Sequence, residues 1–202
     1  MTIIHSVEDL RRHYGATAEA STAKVTPALT PEYRRMIEAS PFVALATVGP
    51  EGLDCSPRGD ADSVVRVADA KTLLLPDWRG NNRIDSLENI VRDPRVALLF
   101  LVPGVTTAMR INGSAVVSVD PDLLTSFAME GAHPRSVVVI TIREVYFQCA
   151  RAVMRAGLWD PARFVAPGAL PTPGAMLKAA KAGFDGDTYD SDWPGRAAKT
   201  MW

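Results

Sequence analysis

The sequence predicts a mainly β protein of the α+β class, a small barrel of about six or seven antiparallel strands with a few flanking helices. Short apolar runs rich in branched residues recur between residues 41 and 149, and turn residues separate them. Stretches with helical periodicity are few and short. Because an antiparallel sheet has to protect its edges, and closure does so most completely, we expect these strands to curl into a barrel.

Residues 1–40 are predicted to form a helical extension that precedes the barrel. Ser6 is a candidate N-cap for a helix through VEDLRRH. Thr30 is a candidate N-cap for a second helix, with Pro31 at its first position. The residues between them, ATAEASTAKVTPALT, have the composition of a linker.

The barrel is predicted to occupy residues 41–161. Its first two strands, FVALATV and LDCSPRG, flank a GPEG turn and have the pattern of a β-hairpin. Pro103-Gly104 and Asn112-Gly113 are interpreted as further turns. The other strands are predicted at VVRVAD, KTLLLP, VALLFLV, MRINGSAVVSV and SVVVITIREVYFQC.

Helical segments are predicted at NRIDSLENIVRD, at DPDLLTSFAMEG and at RAVMRAGLW. Asp120 is the candidate N-cap of the second, with Pro121 at its first position. The first has an apolar face made of Ile84, Leu87, Ile90 and Val91.

Residues 162–202 contain Pro and Gly repeatedly, and we predict an irregular C-terminal tail that is packed on the barrel or partly mobile. Trp159, Phe164 and Trp193 are the side chains expected to make that packing contact.

The composition argues against several classes of function. Lys and Arg number 22 against 23 Asp and Glu, so we expect neither nucleic acid nor a membrane surface as a partner. No apolar stretch has the length of a membrane span, and the start lacks the pattern of a secretory signal, so we expect a cytoplasmic protein. Two cysteines and three histidines without metal-ligand spacing predict neither a disulfide framework nor a metal site.

Two Arg-Gly turns carry the chemistry that the sequence offers. The segment RGNNR at 79–83 precedes a predicted helix, and such a turn can bind a phosphate through backbone amides and guanidinium donors. Ser56, Arg58 and Gly59 end a predicted strand and can face the same point. Ordinary hairpin and helix-cap chemistry explains the same residues equally well. The tripeptide RGD at 58–60 also occurs in cell-adhesion ligands, but it recurs by chance and no secretion signal accompanies it.

Four separated blocks of the chain resemble the pyridoxamine 5'-phosphate oxidase-related family of FMN-binding flavoproteins. They are FVALATVGPEGLDCSPRGD, LLLPDWRGNNRIDSLENIVRDPRVALLFLVPG, MRINGSA and VYFQCARAVMRAGLWDP, in the family's order over residues 40–161. The resemblance implies a split β-barrel that forms a homodimer, with FMN bound in clefts at the subunit interface.

The resemblance also implies which residues bind FMN. The phosphate is expected near Arg58 and Gly59 on one side and near the 79–83 turn on the other, with Arg110 near the flavin. The segment Gln148 to Arg155 is expected to border the same cleft. The complete expected set is Ser56, Arg58, Gly59, Asp60, Pro76, Asp77, Arg79, Gly80, Asn81, Asn82, Arg83 and Arg110.

The function expected from the resemblance is that of an FMN-dependent oxidoreductase with a small-molecule electron donor or acceptor and no catalytic side chain that the sequence identifies. Arg110 is the candidate for stabilising the reduced flavin. The alternative is a protein without catalysis that binds flavin, deazaflavin or haem on the same barrel. The sequence disfavours haem, because His133 is the one histidine in the barrel region that could be an axial ligand. The region SFAMEGAHPRSVVVITI departs from the substrate-binding pattern of vitamin B6 oxidases, so that activity is not expected.

Overall fold

The computed structural model describes residues 1–129 and 131–200. Within them, seven strands form one antiparallel, barrel-like sheet that is not closed, in the order β2-β1-β5-β6-β7-β4-β3. The strands are β1 (Phe42–Gly49), β2 (Gly52–Gly59), β3 (Arg66–Val67), β4 (Thr72–Asp77), β5 (Arg95–Leu101), β6 (Ala108–Ser118) and β7 (Ser136–Gln148). The predicted fold class and strand number are therefore confirmed.

Alternation along β1 sets the inside and the outside of the sheet. Val43, Leu45 and Thr47 are buried, whereas the intervening side chains face away from the core. The two intervening residues, Ala44 and Ala46, each lie opposite one residue of β2 and one of β5. The outward face of the sheet is therefore continuous across these three strands. The core is filled by branched and aromatic side chains from β1, β4, β5, β6 and β7.

The interpretation of Asn112-Gly113 as a turn is wrong. Both residues lie inside the long strand β6, where the pairing with β7 shifts by one residue. A Cβ at Gly113 would overlap the carbonyl oxygen of Thr141, so the glycine permits a close approach of two backbones at a β-bulge.

The N-terminal helices are α1 (Val7–Arg12), α2 (Glu19–Ala23) and α3 (Pro31–Glu38). Ser6 and Thr30 accept hydrogen bonds from the amides of Asp9 and Tyr33, which confirms both predicted caps. The short helix α2 lies within the predicted linker. Residues just before the barrel are joined to it, since Thr26 pairs with Val145 and the Ile37 side chain is fully buried in the core.

Helix α4 (Asp85–Arg92) contacts the barrel through a more polar face than the sequence predicts. Ile90 is buried, but Val91 is 76% exposed and Ile84 is 48% exposed, so the predicted apolar face is wrong at two of its four members. Buried Ser86 and Asn89 take their places. Their side chains donate hydrogen bonds to Asp54 Oδ2 at 2.9 Å and to Thr47 Oγ1 at 3.1 Å, which offsets the cost of burial.

The remaining helices are α5 (Pro121–Thr125), α6 (Arg151–Ala156), α7 (Pro173–Ala180), α8 (Gly186–Ser191) and α9 (Trp193–Thr200). Asp120 caps α5 as predicted. The prediction of irregular structure for the tail is wrong, because Thr172 and Asp185 cap two helices in it. Residues 201 and 202 of the predicted tail lie outside the described residues.

The three aromatic residues expected to fix the tail on the barrel behave differently from one another. Trp159 Nε1 donates a hydrogen bond to the carbonyl oxygen of Val105 at 2.8 Å. Phe164 and Trp193 are 63% and 56% exposed, so the expected packing of these two is wrong. No helix within residues 1–129 and 131–200 has both the length and the apolarity needed to cross a membrane.

Candidate functional site

A cleft of about 580 Å³ lies where β2 and β4 end. The loop from β4 to α4 and the residue before β7 form its other walls. The two Arg-Gly turns therefore lie on one cleft, at the exposed ends of strands that the sheet order places apart. Ten of the twelve predicted site residues line it: Arg58, Gly59, Asp60, Pro76, Asp77, Arg79, Gly80, Asn81, Asn82 and Arg83.

Two predicted residues do not line the cleft. Ser56 points toward Asp54, and its hydroxyl donates a hydrogen bond to Oδ2 of that residue at 3.2 Å. Arg110 lies on the outward face of β6, where its guanidinium stands 5.1 Å from the centre of the Tyr146 ring. The segment Gln148 to Arg155 is likewise absent from the lining of this cleft.

The 79–83 turn is shaped by an asparagine in the left-handed backbone region. Asn82 has a φ of 61°, a conformation that asparagine adopts more easily than most residues. Asn81 Oδ1 accepts a hydrogen bond from the amide of Arg83 at 2.9 Å. The helix that follows has Ile84 at its N-cap and no side-chain cap, so neither asparagine caps α4. A Cβ at Gly80 would meet nothing within 4 Å, so the backbone here is open to a ligand.

The arginines of the cleft differ in how they are paired. Arg83 Nε donates to Asp85 Oδ2 at 2.7 Å, an exposed ion pair beside the cleft. Arg58 Nη1 donates to the carbonyl oxygen of Pro57 at 2.9 Å. A guanidinium has five N–H donors, so one such bond leaves Arg58 with donors for an anion in the cleft.

Sequence reasoning missed Arg135 and Trp78. Arg135 Nη1 donates to Asn82 Oδ1 at 2.5 Å, and its backbone amide donates to the carbonyl oxygen of Asp77 at 2.9 Å. Trp78 Nε1 donates to Asp60 Oδ2 at 3.2 Å and so connects the two walls of the cleft. Arg135 could have been found from its position just before β7. Because β7 pairs with β4, the residue before β7 lies at the end of β4.

The cleft carries an excess of positive charge. Four arginines and two aspartates line it, an excess of two positive charges. Its volume falls in the range of roughly 300–1,000 Å³ that is common for small-molecule sites. Such a cleft favours a small ligand with an anionic group. The described part of the chain holds no group of three or more His, Cys, Asp or Glu side chains suited to a metal ion.

Asp77 is the carboxyl group whose environment in the cleft is most unusual. Burial raises the pKa of Asp77, while the positive charges of Arg58 and Arg135 lower it and do not fully cancel the effect of burial. Its side chain can therefore hold a proton at a pH where an ordinary aspartate has lost it.

We expect Asp77→Asn to make the stability of the ligand-free protein less dependent on pH. A carboxyl whose pKa rises on folding favours the folded state at low pH, and that contribution is lost as pH rises through the folded-state pKa. The wild-type protein should thus lose stability relative to the variant as pH rises from about 4, the ordinary pKa of an aspartate, through the raised pKa of the folded state. Urea unfolding of both proteins across this range measures the difference, and parallel curves would contradict the assignment.

Comparison with known proteins identifies the relatives of this chain. The family model described as pyridoxamine 5'-phosphate oxidase matches residues 29–149, which is more than half of the 202 residues. A search of curated proteins found no match.

Solved structures resemble the chain over about 60% of its length. A candidate pyridoxamine 5'-phosphate oxidase from Lactobacillus delbrueckii is 28% identical, with a TM-score of 0.49, and the match covers 60% of this chain and 95% of that one. HupZ from Group A Streptococcus is 16% identical, with a TM-score of 0.48, and the match covers 59% and 93%. An FAD-binding protein from Mesorhizobium loti is 16% identical, with a TM-score of 0.41, and the match covers 61% and 94%. From the match of the family model, which spans β1 to β7, this chain belongs to the pyridoxamine 5'-phosphate oxidase family.

Proposed function

We propose that this protein binds FMN in the cleft between β2, β4 and α4 and acts as an oxidoreductase, working as a homodimer. The observation that carries the proposal is the convergence of the two Arg-Gly turns on one cleft with an excess of two positive charges. A phosphomonoester carries a charge of about −1.5 to −2 at neutral pH, so a cleft lined by more arginines than aspartates would attract it.

The residues of the cleft fit the two ends of an FMN molecule. Arg58 and Arg83 offer guanidinium donors to the phosphate, and the open backbone at Gly80 leaves room for its oxygens. Leu75, Val64 and the Trp78 side chain provide an apolar wall for a planar ring. Bound FMN would supply the capacity to accept and release electrons or a hydride.

The chain's own residues then have three tasks. Arg58 and the 79–83 turn orient the ligand through its phosphate, and Trp78 keeps the wall in place through its bond to Asp60. Asp77 Oδ can hold a proton beside the ligand, since burial raises its pKa. Arg110 lies on the outward face, so in a homodimer it would serve the cleft of the second copy rather than its own.

We expect Gly80→Val to weaken FMN binding without lowering stability. A Cβ at this position meets nothing within 4 Å, so the folded protein accommodates it, but the added methyl groups occupy the space of the ligand. We expect the Kd for FMN to rise about tenfold, which corresponds to a loss of about 1.4 kcal/mol in binding free energy. Flavin fluorescence gives the Kd and thermal unfolding gives the stability. A variant with unchanged FMN affinity would place the phosphate away from the 79–83 turn.

The proposal is tested by comparing FMN with riboflavin, which lacks the phosphate. Titration of the ligand-free protein should show FMN binding at least about 10-fold more tightly, because the charge-assisted bonds to the phosphate are worth about 1.5–3 kcal/mol. Equal affinity for the two would overturn the assignment of the phosphate site.

The proposed oxidoreductase activity is tested by measuring how fast the bound flavin is reduced. The FMN-loaded protein is mixed with NADH or NADPH without oxygen, and the loss of flavin absorbance is followed by stopped flow. Reduction that is faster than that of free FMN supports an oxidoreductase. A protein that binds FMN but whose bound flavin is reduced by NADH and NADPH no faster than free FMN would instead fit a flavin-binding protein without catalysis.

A further inference from the structure

Arg135 lies where three parts of the cleft meet. It directly precedes β7, and its backbone amide donates a hydrogen bond of 2.9 Å to the carbonyl oxygen of Asp77 at the end of β4. Its side chain extends to the turn at residues 79–83, where Nη1 donates to Asn82 Oδ1 at 2.5 Å. The backbone of Arg135 is thus joined to the sheet, and its side chain connects the sheet to the turn.

Asn82 adopts an unusual backbone conformation. Among residues 1–129 and 131–200 it is the one residue other than glycine that has a positive φ, 61°. Asparagine tolerates this left-handed conformation better than most residues, but the right-handed and extended regions remain easier for it to adopt. The hydrogen bond that Arg135 donates to the side chain of Asn82 therefore stabilises the left-handed conformation against these alternatives.

The other bonds of the turn are local. Residues 79–83 are all exposed, so packing on the core does not fix them. The amide and the side chain of Arg83 donate to Asn81 and Asp85, each two positions away. Such bonds shape the turn but do not fix it relative to the sheet. The bond from Arg135 does so, because it comes from a residue 53 positions away in the chain.

We propose that Arg135 is a positioning residue for the phosphate group of FMN. It holds Asn82 in the left-handed conformation, and that conformation sets how Gly80 and Arg83 face the cleft. These two residues flank Asn82 and supply the open backbone and the guanidinium to which the phosphate is assigned. The inference rests on the proposed function and adds a residue that acts through the turn rather than on the ligand.

The alternative role for Arg135 is a direct bond to the phosphate. A guanidinium has five N–H donors, so the bond to Asn82 leaves others, and Arg135 lines the cleft. The two roles differ in what they require of residue 82. A direct ligand contributes whichever residue stands there, whereas a positioning residue has no task when residue 82 adopts a positive φ unaided. Glycine adopts a positive φ about as readily as a negative one.

The test is a double-mutant cycle of Arg135→Met and Asn82→Gly, with FMN titrated into each ligand-free protein. With Asn82 in place, Arg135→Met should raise the Kd for FMN about tenfold. In the Asn82→Gly background the same change should raise the Kd less than about threefold, and this remainder reflects the lost positive charge. Equal rises in the two backgrounds would show that Arg135 acts directly on the ligand, and they would overturn the inference.

Arg143→Met is the control for net charge. It removes an exposed arginine from within β7, and it should leave the Kd for FMN unchanged. A rise as large as that for Arg135→Met would trace both effects to net charge and overturn the positioning role.

Hydrogen exchange in the ligand-free protein separates this inference from the proposed function. Measured by NMR, the amide of Arg83 should exchange faster in Arg135→Met than in the wild type, because a loosened turn breaks its bond to Asn81 more often. Equal exchange rates in the two proteins overturn the inference, whatever the affinity for FMN. A wild-type protein that does not bind FMN overturns the proposed function, and faster exchange in the variant would still show that Arg135 holds the turn.

Discussion

Replacing Arg58 by alanine is expected to weaken FMN binding by about 10- to 150-fold. The Arg58 guanidinium lines the cleft and has donors left after its bond to the carbonyl oxygen of Pro57. A hydrogen bond to a charged group contributes about 1.5–3 kcal/mol, which gives the expected range of affinities. Quenching of flavin fluorescence in a titration of the ligand-free protein measures the Kd directly.

Two controls show whether the loss concerns the phosphate. Arg34→Ala removes an arginine of α3 that pairs with Glu38 on the exposed surface, so it should leave FMN affinity unchanged. Riboflavin has no phosphate, so its affinity should be nearly the same for Arg58→Ala and for the wild type. An Arg58→Ala variant with wild-type FMN affinity would show that this residue does not bind the phosphate.

Gly113→Ala is expected to have the largest effect on stability. A Cβ at this position would overlap the carbonyl oxygen of Thr141, which belongs to the neighbouring strand β7. The obstacle is a backbone atom held in the centre of the sheet, so it cannot move aside as a flexible side chain would. Overpacking of this kind costs about 1–3 kcal/mol or more, and each kcal/mol lowers the Tm by roughly 2–4 °C in a protein of this size.

Gly15→Ala is the matched control for this change. A Cβ at Gly15 meets nothing within 4 Å, so the substitution should leave the Tm within about a degree of the wild type. Thermal unfolding of both variants under the same conditions makes the comparison. Equal Tm values for Gly113→Ala and Gly15→Ala would mean that β6 and β7 approach each other less closely than the structure shows.

Local chemistry made much of the fold predictable. The alternation in FVALATV places Val43 and Leu45 inside, and the structure buries both. The caps at Ser6, Thr30 and Asp120 follow from residue type and from the proline that follows two of them. These features depend on residues that are close in the sequence, so they can be predicted without knowledge of distant contacts.

The errors arise where distant contacts decide the outcome. Asn112-Gly113 has the composition of a turn, but the approach of Thr141 makes it a bulge inside a strand. Val91 belongs to a helical apolar pattern, yet it is Ser86 and Asn89 of α4 that face the barrel, because their side chains form hydrogen bonds with residues of the sheet. Polar partners on another strand leave no trace in the local pattern.

The cleft likewise contains residues that local motifs predict and residues that only distant contacts place there. The two Arg-Gly turns were visible because each is a short motif with its own chemistry. Arg135 was not, since its contact with Asn82 joins residues 53 positions apart. The pairing of β4 with β7 produces that contact, and a prediction of strand order would have been needed to find it.

The visible absorption spectrum of the purified protein, with mass identification of whatever is released on denaturation, shows whether the cleft binds FMN. We expect a yellow protein, or a colourless one that stays yellow after FMN has been added and the unbound FMN removed, with one FMN released per chain. A protein that is colourless again once unbound FMN has been removed, or that releases a different chromophore, would contradict the assignment of the cleft to FMN.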